Sequence, residues 1–225
     1  MEIEYEATFT DINKEEIRER LKKANAKLLK PEFLQKRIVL DLPKGHEIKG
    51  GWIRVRDEGD KITMSLKVVD GNKIENQKEI CLKIDDFNKA ETFLKNIGCI
   101  KKAFQESKRE LWILDNVEVT IDEWPFLEPY VEIEGKSEEE VKSVAKKLGF
   151  DYKRALFCSV DTLYNKKYGV SEDIINNQIP EITFARKNPL PPKGKEVNKE
   201  GKSFKSSNIP KKLLGMLNRP FRILL

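Results

Sequence analysis

Residues 52–69, WIRVRDEGDKITMSLKVV, combine the two signals that decide the fold class. Apolar and polar residues alternate with period two over residues 52–57 and again over 61–69. Between the two runs, residues 58–60 read Glu-Gly-Asp, which is a favourable turn sequence. Because successive strand residues point to opposite faces of a sheet, this pattern predicts a β-hairpin and hence an antiparallel sheet.

The same kinds of signal recur on both sides of this hairpin. Further strands are predicted at residues 3–8, 35–42, 73–83, 101–114, 117–122 and 130–134. Helical spacing of apolar residues, with capping residues, predicts helices at residues 11–29, 85–97, 137–148 and 158–168, the first of them ended by Pro31. About eight strands and four helices indicate an antiparallel α+β protein. Spacing alone leaves open whether the sheet stays open or closes into a barrel.

Composition excludes several classes of protein. The chain has 225 residues, of which 36% are charged and 39% hydrophobic, and no apolar run approaches the roughly 20 residues that span a bilayer. The first residues, MEIEYEATF, alternate like a strand and lack the basic and apolar regions of a signal peptide. Three cysteines without C-x-x-C spacing argue against a disulfide framework or a zinc site. We therefore expect a cytoplasmic protein that does not associate with membranes.

The positive charge is concentrated near the end of the sequence. Residues 186–225 hold 11 Lys and Arg against 2 acidic residues, whereas the whole chain has a net charge of only +5. The same segment is rich in Pro, Gly and Ser, which predicts a disordered tail after a folded domain at residues 1–185. The body is mildly acidic, so any binding of nucleic acid is expected through the tail alone.

Polar residues occur in pairs and triplets on single faces of the predicted strands. The sets are Glu4 and Glu6; Arg54 and Arg56; Thr63, Ser65 and Lys67; Glu118, Thr120 and Asp122; and Glu132 and Glu134. One interpretation is a sheet whose polar face is solvated. The other is a closed barrel with these groups inside, where carboxylates suit a divalent cation and basic groups suit phosphate oxygens. Such an interior would fit a complex of a metal with a polyphosphate.

The order of these motifs resembles the CYTH superfamily, the triphosphate tunnel metalloenzymes. That family opens with E-x-E-x-K-F and carries R-x-R on its third strand. The matching positions here are Glu4-Tyr5-Glu6-Ala7-Thr8-Phe9, Gln35 to Asp41, Arg54-Val55-Arg56, Lys67, Glu79, Arg109, Asp122 and Glu132-Ile133-Glu134. The resemblance extends over about residues 2–170.

The resemblance implies an antiparallel eight-stranded β-barrel, the triphosphate tunnel, with flanking helices. It implies that Mg²⁺ or Mn²⁺ is held by carboxylates at Glu4, Glu6, Glu132, Glu134 and Asp122. It further implies that the triphosphate is bound, and its reaction assisted, by Arg54, Arg56, Lys67 and Arg109, with Asp122 also in the catalytic set. Suitable substrates are ATP, thiamine triphosphate and tripolyphosphate, and the protein is expected to be a monomer or a homodimer.

Two departures from the family pattern bear on function. Thr8 replaces the usual Lys and removes a positive charge, whereas Arg37 replaces an acidic residue and is predicted to add a substrate-binding charge. The stretch 51–56 is most similar to the class IV adenylyl cyclases, which convert ATP to cyclic AMP and pyrophosphate. Triphosphate hydrolysis is the second enzymatic activity that the sequence suggests. The alternative outside catalysis is a tunnel that binds a nucleotide or polyphosphate without turnover and associates with RNA through its tail.

Overall fold

In the computed structural model, residues 1–191, 195–197 and 203–205 are described. Within residues 1–191, one sheet contains β1 (Glu2–Ile3), β2 (Tyr5–Phe9), β3 (Lys27–Asp41), β4 (Gly51–Asp57), β5 (Ile62–Val69), β6 (Gln77–Ile84), β7 (Ile100–Leu114), β8 (Val117–Glu123), β9 (Tyr130–Gly135) and β10 (Glu181–Ile182). The helices of this part are α1 (Lys14–Lys23), α2 (Phe87–Asn96), α3 (Glu138–Lys147), α4 (Val160–Tyr168) and α5 (Glu172–Asn177). None of the helices in the described residues is long and apolar enough to cross a membrane.

The sheet curls into a nearly closed barrel. Its neighbour order is β1-β6-β5-β4-β3-β7-β8-β9-β2, and all of these pairings are antiparallel. The first and last strands of this path, β1 and β2, are separated in the chain only by Glu4. The two ends of the sheet are therefore joined by one interrupted strand, and the predicted α+β barrel is confirmed.

Many apolar residues of the strands face outwards, and helices cover them in two clusters. Val55 and Ile38 are fully buried in a cluster with Leu94 of α2. On the opposite side, Val119 and Ile133 pack with residues of α1 and α3. Strand alternation then places the charged sets in the interior, so the interpretation of a solvated polar face is wrong.

Side-chain caps begin three of the predicted helices. The Asn13 side chain accepts hydrogen bonds from the backbone N–H groups of Glu15 and Glu16 at 2.9 and 3.2 Å. Asp86 caps α2 and Ser137 caps α3 in the same way. These contacts satisfy N–H groups that would otherwise lack partners at the start of a helix.

The first helix is much shorter than the sequence predicts. It ends at Lys23, and Asn25 follows with φ 61°. Asn tolerates this left-handed conformation, which stops the helix before the predicted end at residue 29. Pro31 lies within β3, between register shifts in the pairing with β7, where the missing N–H of proline costs no regular ladder bond.

The structure also differs in where one predicted strand begins and in containing two short elements that were not predicted. The strand predicted at 73–83 starts at Gln77, after a 3₁₀ turn at Ile74–Asn76. Helix α5 and strand β10 are not predicted by the sequence analysis. Both are too short to show a clear period, with six and two residues.

The region around the predicted domain boundary is partly described. Leu190, beyond residue 185, is buried in the same cluster as Trp124 and Tyr164. Two short strands, β11 (Lys195–Val197) and β12 (Ser203–Lys205), pair antiparallel with each other. The other residues of the predicted basic tail, 192–194, 198–202 and 206–225, lie outside the described residues.

Candidate functional site

A cavity of about 820 Å³ occupies the interior of the barrel. Nine of the ten predicted site residues line it, namely Glu4, Glu6, Arg37, Arg54, Arg56, Lys67, Arg109, Glu132 and Glu134. The tenth, Asp122, is fully buried behind Arg109. The lining also includes residues that the sequence analysis did not assign to the site, among them Trp52, Gln77, Lys102, Gln105 and Tyr130. Alternation along the strands could have identified Gln77 and Gln105, if it had been known that the polar face of the sheet is inside.

Strand register sets the order of charges within this cavity. Lys67 lies opposite Glu79 across β5 and β6, and Glu6 lies opposite Glu134 across β2 and β9. On β4, Arg54 and Arg56 are two residues apart and so share a face. Acidic groups from β1–β2, β6 and β9 are thereby brought together in space, although they are far apart in sequence.

Glu4 stands at the interruption between β1 and β2. Its Oε2 is 2.8 Å from the Lys67 Nζ, and the Arg54 Nη2 donates to Glu79 Oε1 at 3.0 Å. Burial raises the pKa of Glu4 to about 8, against the opposing charge of Lys67. Although burial opposes it, the hydrogen bond with Glu4 and the charges of Lys67 and Arg54 hold the pKa of Glu79 below its usual range. One of these two carboxyl groups therefore keeps a proton near neutral pH, and the other is ionised.

A second group of carboxylates contains Glu6, Glu132 and Glu134. Burial, and then the charge of Glu6, raise the pKa of Glu134 to about 7 and that of Glu132 well above its usual range. The Arg109 Nη2 donates to Glu132 Oε2 at 2.5 Å but does not offset this effect. Ionisation of Glu132 and Glu134 is therefore opposed in the ligand-free site, despite the basic residues nearby.

These carboxylates fit a hard divalent cation by their chemistry. Oxygen ligands are what Mg²⁺ and Mn²⁺ prefer, and a cation would remove the repulsion that raises the two pKa values. Within residues 1–191, no three acidic, His or Cys side chains already converge into a ligand sphere. Glu132 and Glu4 are paired with Arg109 and Lys67 instead. Glu4 and Glu132 would therefore offer their paired oxygens to a cation only if these pairs open.

Basic groups form the other half of the site. Burial, and then the charges of neighbouring arginines, lower the pKa of Arg37 to about 9 and that of Arg56 to about 10. In the part of the chain that is described, the buried Nε atoms of Arg37, Arg54 and Arg56 have no hydrogen-bond partner. Guanidinium groups that line one cavity and repel one another are suited to bind phosphate oxygens.

Arg109 is held in place by Asp122. The Arg109 Nε and Nη2 donate to the two Asp122 oxygens at 2.7 and 2.9 Å, and the Thr120 hydroxyl donates to Asp122 Oδ2 at 2.6 Å. With both oxygens engaged, the geometry favours Asp122 as the residue that orients Arg109. Its predicted contact with a metal stays a prediction.

Thr8 lies on the inner face but does not line the cavity. It is 2% exposed, lies opposite Glu132, and exchanges two backbone hydrogen bonds with Leu156. The segment around Leu156 thus covers the edge of β2 at the position where the family pattern has Lys.

The profile of the CYTH domain family matches residues 1–163, and the chain belongs to this family. Its members are expected to act on triphosphates with the help of a metal, and this assignment supports an enzyme at the family level. No curated protein is detectably similar to the chain.

Solved structures share the fold at low sequence identity. A conserved hypothetical protein from Pyrococcus furiosus is 23% identical, with a TM-score of 0.59 over 71% of this chain and 99% of that one. A "putative adenylate cyclase" from Vibrio parahaemolyticus is 12% identical, with a TM-score of 0.63 over 73% and 98%. HpAC1 from Hippeastrum, described as having a dominant triphosphatase activity, is 14% identical with a TM-score of 0.50 over 76% and 97%. At these identities the likeness concerns the fold alone.

Proposed function

We propose that the chain is a metal-dependent enzyme that acts on a triphosphate-bearing small molecule. The observation that carries this proposal is that acidic and basic groups line the same cavity. The carboxyl groups of Glu6, Glu132 and Glu134 lie in the same interior as several arginines. Burial raises the pKa of Glu134 and lowers that of Arg56, so both kinds of group are disfavoured in their charged forms. A complex of a divalent cation with a triphosphate would neutralise both groups at once.

The basic residues bind the phosphate chain and stabilise the charge that builds up on it during reaction. Arg54, Arg56 and Lys67 lie on adjacent strands, and Arg109 faces them from β7. Donors fixed in a buried site are effective because they need little reorganisation as charge develops. Asp122 keeps the Arg109 fork in position for this task.

The carboxylates would hold the cation. We assign this role to Glu4, Glu6, Glu132 and Glu134, and Mg²⁺ or Mn²⁺ suits their oxygens. When bound, the cation supplies Lewis-acid polarisation of the phosphate oxygens. Lys67 and Arg109, released from Glu4 and Glu132, would then be free to contact phosphate.

Cyclisation of ATP is the favoured reaction. The 3′-hydroxyl oxygen attacks the α-phosphorus, the bond to the bridging oxygen breaks, and pyrophosphate leaves while the hydroxyl proton passes to solvent or a carboxylate. The stretch 51–56 supports this choice, together with Trp52 and Phe157 in the cavity wall, which offer surfaces for a nucleoside. In the second reaction, water attacks the terminal phosphorus and releases orthophosphate.

Phosphorus NMR distinguishes these reactions. The purified protein is incubated with Mg²⁺ or Mn²⁺ and either ATP or tripolyphosphate, beside the variants Glu6→Gln and Glu16→Gln. Glu16 is an exposed residue of α1 and controls for the loss of one carboxylate. We expect product from the wild type and from Glu16→Gln, and a loss of at least 100-fold in Glu6→Gln, on the order of 3 kcal/mol in the barrier.

The products identify which reaction the protein catalyses. Cyclic AMP with pyrophosphate identifies a cyclase, and orthophosphate from either substrate identifies a triphosphatase. Absence of product from the wild type would refute the enzymatic proposal and leave a tunnel that binds without turnover. The substitution of Thr8 for Lys supports that second candidate, because it removes a positive charge that the family places near the phosphates.

A further inference from the structure

Arg37 differs from the other basic residues of the cavity in having no acidic partner. Arg54, Arg56, Lys67 and Arg109 each lie within 4.0 Å of a carboxylate oxygen. Among the residues that the structure describes, Arg37 makes no salt bridge, and it is only 6% exposed. A buried guanidinium without a counter-charge is unfavourable unless a ligand supplies one.

The surroundings hold Arg37 rigidly without neutralising it. Its Nη2 donates to Gln35 Oε1 at 2.8 Å and to the Ser107 hydroxyl at 2.5 Å. Its guanidinium carbon lies 4.4 Å from the centre of the Trp124 ring. The Nε has no hydrogen-bond partner in the described part of the chain. The guanidinium is therefore fixed in orientation at the cavity wall, and its charge is not neutralised by a neighbouring carboxylate of the described residues.

The strand register places Arg37 further along the barrel from Glu79 than Arg54. Arg37 lies opposite Arg56, whereas Arg54, which bonds to Glu79, lies opposite Val39. Two residues along a strand correspond to about 6.6 Å. Gln35 and Ser107 are fully buried, so side chains fill the barrel behind Arg37. A phosphate chain anchored near the carboxylates would reach Arg37 with its far end.

We infer that Arg37 binds the terminal phosphate of the substrate and thereby selects ligands with a free triphosphate end over shorter phosphates. This inference rests on the proposed triphosphate specificity. It names the side chain that distinguishes phosphate chains of different length. It applies to ATP and to tripolyphosphate alike, because both end in a terminal phosphate.

Binding and stability measurements test this role without relying on turnover. Isothermal titration calorimetry compares tripolyphosphate with pyrophosphate for the wild type and Arg37→Met, with and without Mg²⁺. Arg154→Met removes an exposed arginine and serves as the matched control. We expect Arg37→Met to bind tripolyphosphate about 10- to 100-fold more weakly, the effect of losing a charged hydrogen bond, and to bind pyrophosphate nearly as the wild type does.

Thermal unfolding in the absence of ligand separates binding from a structural role. If Arg37 serves the ligand, Arg37→Met unfolds at the same or a higher temperature than the wild type, because an uncompensated buried charge is gone. A lower unfolding temperature with unchanged affinity for tripolyphosphate would show a structural role and overturn the inference. Arg37→Gln, which keeps a polar group, repeats the test should Arg37→Met fail to fold.

The outcomes distinguish this inference from the proposed function. Binding that depends on Arg37, without any product from the wild type, supports the inference and refutes the enzymatic proposal. Turnover by the wild type with equal losses of tripolyphosphate and pyrophosphate affinity in Arg37→Met overturns the inference alone. A wild type that does not bind tripolyphosphate overturns both.

Discussion

At the scale of single residues, the buried carboxylates decide how the protein responds to pH. The pKa of Glu134 is raised to about 7 by burial and by the charge of Glu6. A carboxyl group whose pKa is higher in the folded state favours folding while it is protonated, and this contribution is lost as the pH rises through the folded-state pKa. Glu134 therefore stabilises the ligand-free fold at pH 5 relative to pH 8.

We predict that Glu134→Gln removes this dependence. The variant should resemble the wild type in its free energy of unfolding near pH 5 and exceed it near pH 8, where the wild type must carry the buried charge. Urea unfolding at several pH values measures the difference. Glu139→Gln, at an exposed position of α3, should leave the pH profile unchanged. A lower stability of Glu134→Gln at pH 8 would contradict the prediction.

At the scale of elements, the sharpest constraint is at the start of the β4–β5 hairpin. Gly50 has φ +70°, and a Cβ there would lie 2.1 Å from the Val69 carbonyl oxygen. The Gly50 carbonyl also accepts a hydrogen bond from the Val69 N–H at 2.9 Å. The two chains thus approach so closely at this point that only glycine fits.

Gly50→Ala should therefore be more destabilising than a positive φ alone explains. Gly45 has φ +85°, and a Cβ there would have nothing within 4 Å, so Gly45→Ala measures backbone strain alone, about 1–2 kcal/mol. We expect Gly50→Ala to cost about 1–3 kcal/mol more, because the strands must separate. Chemical denaturation of both variants gives the comparison, and equal losses would show that the hairpin absorbs the extra atom.

The elements also show what could be predicted from sequence and what could not. Period-two alternation identified the strands, and it paired Arg54 with Arg56 on one face. It could not say which face is inside, because that depends on where the helices pack, as Leu94 does against Val55. The sequence does not predict the early end of α1, because the apolar spacing continues beyond Lys23. The helix stops there because Asn25 adopts a left-handed conformation.

Contacts between distant residues were also beyond the reach of sequence patterns. The family resemblance supplied the candidate site residues, and all but Asp122 line the cavity. The ion pairs of Lys67 with Glu4 and of Arg109 with Glu132 depend on how the barrel closes in three dimensions. The absence of a salt bridge to Arg37 within the described residues is likewise a property of the assembled barrel.

At the scale of the whole molecule, one interior holds both acidic and basic groups, and several of them pair with each other. Carboxylates with raised pKa values and arginines with lowered ones are both signs of stability given up in the ligand-free state. A ligand that carries both a divalent cation and several phosphates would restore this stability at the carboxylates and at the arginines. The molecule as a whole is therefore arranged to be stabilised by the complex more than by either part.

We predict that Mg²⁺ and tripolyphosphate together raise the unfolding temperature by more than the sum of their separate effects. Saturation at 100 times the Kd corresponds to about 2.7 kcal/mol of stabilisation. Differential scanning fluorimetry at pH 8 measures the shifts, with NaCl added to match ionic strength because screening alone changes charge interactions. Addition of EDTA should reverse the excess shift. Strictly additive shifts would indicate independent sites.

The interrupted strand that joins the two ends of the sheet also governs when the barrel can form during synthesis. Phe9 pairs with Val131, and Ile3 pairs with Lys78. β2 is therefore synthesised well before its partner β9, and it waits on the order of 10 s at ordinary rates of translation. Until then one edge of β2 is unpaired and exposed, so closure of the barrel depends on a late pairing between distant segments.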